Sequence, residues 1–278
     1  MIAKQKQEYI KNAIYLSHTS LKDFLKCQKS YYLKNIYRNP QTGNRLQIAS
    51  PYLSLGSTVH DTIKWYLEME GQITGDQFIQ KFRDLWPKYS GKRGGFSSRD
   101  EEGDFGKRGL KMLDNFFKNA KVLEKKHHNI DFPKFPLVDN VLLMGNFDFV
   151  GERKDQTLHI VDFKTGAKDE DDAIQLYIYA ILAEANFGKE VSAASFWYLD
   201  REDNPREIVL DPLEPKVEWL KEKAKQLKQA LDKGEWVCKD GEKLCRDCRD
   251  YQAISEGRGQ FQFTDYRYKK DVYFLNTP

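Results

Sequence analysis

A helix that is apolar on nearly every side can exist only where something covers it. The segment DDAIQLYIYAILAEANFG, residues 171–188, has that character, and Gly188 supplies its stop. The runs on either side have the other period: TLHIVDFKTG (157–166) before it and AASFWYL (193–199) after it read as strands. The chain is therefore expected to be α/β, with this helix buried against a sheet.

The strand before the helix carries an oddity. Side chains alternate along a strand, so Ile160, Asp162 and Lys164 share one face while His159, Val161 and Phe163 share the other. Two opposite charges then stand side by side on a surface that begins apolar. That placement costs free energy unless a partner, water or an ion compensates it. A salt-bridged strand end gives this pattern, and so does a site.

The strand pattern begins at Phe135: FPLV, a tight turn at Asp139-Asn140, VLLMGNFDFV, a polar turn GERKDQ, then TLHIVDFKTG. Three sequential antiparallel strands fit best. Upstream, Ser17-His18-Thr19-Ser20 with Asp23 three residues after Ser20 predicts a capped helix that carries Leu21, Phe24, Leu25, Cys27, Tyr31, Tyr32 and Leu33. A second helix is predicted over about 56–68, with Val59, Ile63, Tyr66 and Leu67 on its apolar stripe and His60 at the margin. Two more are predicted at 76–86 and 107–126, separated by PKYSGKRGGFSSRDEEGDFG, which reads as a mobile loop. A long charged helix is predicted from Pro212 to Asp232. There is no internal repeat.

At 278 residues the chain can form one large or two small domains, and 40% hydrophobic with 31% charged residues excludes a disordered class. The expectation is a single domain over 1–278, with a helical insertion at about 71–130 and a cysteine-bearing C-terminal segment at about 234–278. Net charge is only +3, so any case for nucleic acid has to be local. The N-terminal residues are broken by charges every few positions, and no segment approaches ~18 uninterrupted apolar residues, so a cytoplasmic protein without membrane association is expected.

Asp148 lies late in the strand expected to pair with the one bearing Asp162 and Lys164, and a hairpin register brings the two carboxylates together. Two carboxylates and a lysine at one sheet edge suit a hard cation such as Mg²⁺ or Mn²⁺. Such a cation can activate water for phosphodiester cleavage, with Lys164 placing the water or meeting developing charge.

The motifs SHTSLKDFLKCQKSYYL, LGSTVHDTI, GNFDFV, IVDFKTG and QLYIYA follow one another over residues 17–183. In this order they resemble the PD-(D/E)XK nuclease superfamily, and within it the RecB-like nucleases, which include the nuclease domains of RecBCD and AddAB and the CRISPR adaptation nucleases. The resemblance implies an αβββαβ core like that of restriction endonucleases. It implies metal-binding roles for Asp148 and Asp162, a catalytic role for Lys164, and a further metal ligand in His60. Gln175 and Tyr179, one helical turn apart, resemble the family's Gln-x-x-x-Tyr element, which steadies the site and the bound strand. Without the resemblance, His60 reads as a core-edge histidine, and Gln175 and Tyr179 as partners inside a buried helix.

The four cysteines are Cys27, Cys238, Cys245 and Cys248. A Cys-x-x-Cys with two more cysteines elsewhere in a cytoplasmic chain points to a metal rather than disulfides. By resemblance, one cysteine in the N-terminal helix and three near the C-terminus would hold a 4Fe-4S cluster and fold the C-terminal segment back on that helix. The family usually places its last cysteine after the Cys-x-x-Cys, whereas here Cys238 precedes it. Structural Zn and packed free thiols stay open as alternatives.

Two segments carry local basic and aromatic character. Residues 88–99 hold Lys88, Lys92, Arg93 and Arg99 with Tyr89 and Phe96, and the tail interleaves Arg258, Arg267, Lys269 and Lys270 with Phe261, Phe263 and Tyr266. That composition suits phosphate contact and base stacking on a single strand, and equally a solvated loop and a strand's core face. The expected function is thus a Mg²⁺- or Mn²⁺-dependent DNase, an exonuclease acting on single strands or DNA ends in DNA repair, with helicase, recombination or CRISPR proteins as partners. The alternatives are a DNA-binding or scaffold protein that has lost the chemistry, and a restriction-type endonuclease, which needs a recognition element not identified in the sequence.

Overall fold

In the computed structural model, which describes residues 13–124, 128–170 and 172–276, the chain begins β1 (Ile14–Leu16), α1 (His18–Lys26), α2 (Gln28–Tyr31) and β2 (Arg45–Ile48). Three helices follow: α3 (Pro51–Glu68), α4 (Gly75–Leu85) and α5 (Arg99–Asn119). Then come β3 (Lys134–Val138), β4 (Val141–Met144), β5 (Phe149–Glu152), β6 (Leu158–Lys164), α6 (Ile174–Phe187), β7 (Val191–Tyr198) and β8 (Arg206–Ile208). The chain closes with α7 (Leu213–Lys233), α8 (Arg246–Ser255), β9 (Gln260–Asp265) and β10 (Lys270–Phe274). Two compact units form, one from the residues up to Leu21 with Asn115–Glu235, the other from Lys22–Asp114 with the residues from Trp236 onward.

The first unit has the mixed α/β architecture the sequence implies. One sheet runs β5-β6-β7-β8, with β5 antiparallel to β6, β6 parallel to β7 across the α6 connection, and β7 antiparallel to β8. A second, three-stranded sheet has the order β1-β4-β3. β6 is buried from Leu158 to Phe163, as a strand covered on both faces must be. Ten consecutive residues of α6, Leu176 to Ala185, are buried, and each fully covered leucine or isoleucine contributes about 1.5–3 kcal/mol. Gly188 caps α6 in the left-handed region, as its position predicts. Phe116, at the end of α5, packs edge-on against Phe163 at 5.5 Å and tilted against Trp197.

One strand expectation needs correction. VLLMGNFDFV is not one strand: β4 stops at Met144 and β5 starts at Phe149, and the two belong to different sheets. Asp148 therefore precedes its strand rather than lying late in it. The break is at Gly145, where a Cβ would stand 2.8 Å from Leu182 and 3.2 Å from the Tyr179 ring, so α6 approaches the backbone where no side chain fits.

The second unit holds α2 to α4, most of α5, α8 and a sheet of order β2-β10-β9, in which β2 is parallel and β9 antiparallel to β10. Its core gathers Leu55, Val59 and Ile63 of α3, Phe78 and Phe82 of α4, and Met112 and Leu113 of α5. The predicted N-terminal helix is interrupted. Cys27 is extended (φ −166°, ψ 116°) and separates α1 from α2, and a π-helical turn follows at Tyr32–Ile36. The cap at its start is also different: the amides and hydroxyls of Ser17 and Ser20 bond reciprocally, while Asp23 pairs with Lys34 at 3.0 Å. α3 begins earlier than predicted, with Pro51 in its first turn, where a missing N–H costs nothing.

The predicted mobile loop is largely structured. α5 starts at Arg99 because Ser98 and Glu101 cap it: the Glu101 amide donates to Ser98 Oγ, and the Glu101 carboxylate accepts from the Ser97 amide at 2.7 Å. Phe96 is buried between the rings of Trp86 and Phe105. Gly95 has φ +86°, and a Cβ there would meet the backbone of Ala49 and Ser50 within 2.7 Å. The C-terminal segment returns to the start of the unit: Asp247 of α8 pairs with Lys26 and Lys34, and Trp236 stacks on Tyr32 at 5.3 Å. Among the described residues, no helix is long and apolar enough to cross a membrane.

Candidate active site

The antiparallel register sets Phe149 opposite Val161, so the next position outward sets Asp148 beside Asp162. The Asp148 carboxylate is pinned there, its Oδ2 accepting the Phe163 backbone N–H at 2.9 Å. Asp162 is only 2% exposed, and its charge is met from two directions. Gln175 Nε2 donates to Oδ1 at 2.7 Å, and the Lys164 ammonium lies 3.0 Å from Oδ2. Gln175 completes the link by accepting from Lys164 Nζ at 2.6 Å through Oε1, while its Nε2 also donates to the Tyr179 hydroxyl at 3.1 Å. Five residues singled out in the sequence thus form one network at the mouth of the β5-β6 pair.

The network has definite electrostatics. Burial pulls the Lys164 pKa down, but the carboxylates of Asp162 and Glu170 outweigh it and hold the ammonium above its ordinary value. Burial drives the Tyr179 phenol far above its usual range, and the charges of Asp162 and Asp148 add to the shift, so the hydroxyl stays neutral. The arrangement offers oxygen donors from two carboxylates and a fixed cation beside them.

Two contributors were missed in the sequence. Glu170, in the acidic loop before α6, reaches Lys164 at 3.1 Å, and the Phe196 ring lies 4.8 Å beneath the same ammonium. An acidic residue soon after the strand's lysine was the available signal for the first; the parallel register of β7, which aligns Phe196 with Asp162, was not readable. His60 lies half-buried on α3 in the second unit. A third polar line, Glu124–His159–Ser195, has contacts of 2.8 and 2.7 Å and the look of a nucleophile triad. Ser195 is 1% exposed in the middle of β7, so its hydroxyl is closed to substrate and this line is a buried polar network inside the sheet.

In the second unit the four cysteines converge. All are buried, and their Sγ atoms lie within 4.8 Å of one another, with Cys27 3.5 Å from Cys248 and 3.9 Å from Cys238. Burial pushes the Cys238 thiol up, but backbone amides of Cys245 and Asp240 aimed at the sulfur bring it down to about 7.

The two basic and aromatic segments also meet. Lys92 and Arg99 from one and Arg258, Gln260 and Phe274 from the other line a cleft of about 550 Å³. Lys92 donates to Gln260 at 3.2 Å, and the Arg93 guanidinium sits 4.6 Å over the Phe263 ring. Phe261 and Tyr266 remain exposed, so the tail's aromatics are not simply a core face.

A family model of the PD-(D/E)XK nuclease superfamily matches residues 15–254. No curated protein gives a significant match.

Proposed function

The chain belongs to the PD-(D/E)XK nuclease superfamily, and from that premise we propose that it is a metal-dependent DNase of the RecB-like type that degrades DNA from ends or along single strands. The observation that carries this reading is the bridge from Lys164 through Gln175 to Asp162, with Asp148 held alongside by the Phe163 amide. A fold kept for binding alone would not need a buried carboxylate and lysine fixed in this way, because such a pair is expensive to maintain.

The donor set fits a hard divalent cation: two carboxylates and no thiolate, the oxygen chemistry that Mg²⁺ and Mn²⁺ take. Asp148 and Asp162 would hold it. When bound, the metal supplies Lewis-acid activation of the phosphodiester and a more acidic water. Asp162 fixes the position of Lys164, whose ammonium stabilises negative charge that develops on the phosphate oxygens. Gln175 holds both groups in register, and the neutral Tyr179 hydroxyl orients Gln175 by accepting one of its N–H bonds. Lys92, Arg99 and Arg258, with Phe261 and Phe274, suit contact with a single strand by phosphate pairing and base stacking.

The test is incubation of end-labelled single- and double-stranded DNA with Mg²⁺ or Mn²⁺, against an EDTA control. Metal-dependent shortening from one labelled end supports the exonuclease. Discrete internal products would move the reading to an endonuclease, and intact DNA under every condition would leave a binding protein.

A further inference from the structure

The cysteine cluster joins two stretches of the second unit that are more than 200 residues apart in sequence: Cys27 in the gap between α1 and α2, and Cys238, Cys245 and Cys248 around the start of α8. All four cysteines are free, and Cys27 Sγ, 3.5 Å from Cys248 and 3.9 Å from Cys238, is far outside the ~2 Å of a disulfide. Their spacing matches a single tetrahedral ion. With a metal–sulfur bond of about 2.3 Å, the edges of a zinc tetrathiolate are about 3.8 Å long. A 4Fe-4S cubane binds each thiolate to a different iron and holds the sulfurs roughly 6 Å apart. All four Sγ atoms here lie within 4.8 Å of one another, which favours the single ion.

We infer that Cys27, Cys238, Cys245 and Cys248 bind one zinc ion as a closed structural site that clamps the C-terminal segment to the start of the second unit. The surroundings agree with that role. The Cys245 amide donates to Cys238 Sγ at 3.1 Å, the kind of outer bond that orients a thiolate ligand. Leu33, Tyr32, Leu244 and Tyr251 pack around the sulfurs, and four protein ligands fill a tetrahedral ion's positions, leaving none for substrate. The zinc therefore contributes to folding rather than to cleavage, and the stability of the second unit depends on its retention.

The full chain, expressed in medium supplemented with both iron and zinc and purified without oxygen, tests this by elemental analysis and visible spectroscopy. The expected protein is colourless with one zinc per chain. A mercurial reagent should release that zinc in step with the titration of four thiols, and Co²⁺ exchanged into the site should show the absorption of a tetrahedral tetrathiolate. Cys27→Ser should lose the metal and melt roughly 10 °C lower. Should that variant not fold, the parent treated with a zinc chelator gives the same comparison. A brown protein with about four irons per chain would overturn the inference in favour of the cluster, and a metal-free protein with four freely reactive thiols would overturn it altogether. None of these readouts uses nuclease activity, so the inference stands or falls separately from the proposed function.

Discussion

The Phe163 backbone N–H donates to Asp148 Oδ2 at 2.9 Å, which ties the residue in front of β5 to the strand that carries Asp162 and Lys164. Asparagine at position 148 can still accept that bond through its amide oxygen while losing the charge. Asp148→Asn should therefore keep the parental melting temperature, bind Mn²⁺ more weakly and cleave on the order of 100-fold more slowly. Calorimetry with Mn²⁺ and a cleavage assay on the same preparation check this, and parental cleavage would remove Asp148 from the site.

Gln175 touches Lys164, Asp162 and Tyr179 at once. Gln175→Ala should slow turnover by about 10–100-fold while the protein still folds, as loss of an orienting partner does. Gln175→Glu should be worse than alanine, because it replaces the Nε2 donor to Asp162 Oδ1 with a second carboxylate oxygen that repels it. Single-turnover rates distinguish the three proteins, and an alanine variant as slow as the glutamate variant would contradict the like-charge argument.

The cleft lined by Lys92 and Arg258 predicts a salt signature. Lys92→Ala combined with Arg258→Ala should weaken binding of a fluorescent single strand, measured in EDTA. The slope of log K against log salt should become shallower by about 0.7 for each phosphate that the protein no longer neutralises. An unchanged slope would mean that these cations stay solvated and do not meet the strand.

Asp271, on β10, is fully buried and accepts hydrogen bonds from Asn39, Thr42, Asn44 and Thr264. Burial raises its pKa, but the four donors outweigh it and hold the carboxyl below the usual value near 3.8. A carboxylate with a depressed folded-state pKa stabilises fully above its unfolded value, and the contribution fades as pH falls through the folded one. Asp271→Asn should thus cost about 1–3 kcal/mol at neutral pH, and the gap to the parent should narrow below about pH 4. Urea titrations across that range read it directly; a gap independent of pH would assign the cost to packing.

The legible parts of this molecule were those whose cause is local. The all-round apolarity of α6, the alternation that sets Asp162 and Lys164 on one face of β6, and the Gly188 stop each follow from neighbouring residues. What escaped the sequence depends on partners far along the chain. β1 and β2 are three and four residues long and exist because β4 and β10 offer them edges. The extended backbone of Cys27 inside an otherwise helical pattern has its reason in sulfurs that come from residues 238–248. The gap between β4 and β5 answers to the close approach of Tyr179 and Leu182 to Gly145, and the polar loop before α5 is ordered by Phe96 and the serine cap. Within the site, the Asp148, Asp162, Lys164, Gln175 and Tyr179 set was readable; Glu170 left only the signal of an acidic residue soon after the lysine, and Phe196 left none, since it reaches Lys164 through the register of the strand that follows.

If Asp162 and Lys164 are the working pair of a metal-dependent nuclease, replacing either must stop cleavage without unfolding the chain. The decisive quantity is the rate of Mn²⁺-dependent degradation of an end-labelled single strand by the parent, Asp162→Asn and Lys164→Ala, each first shown by circular dichroism to be folded. The parent should be active, EDTA should abolish that activity, and both variants should lose at least about 100-fold. EDTA-sensitive cleavage at the parental rate in a folded Asp162→Asn or Lys164→Ala protein would remove the pair from the chemistry.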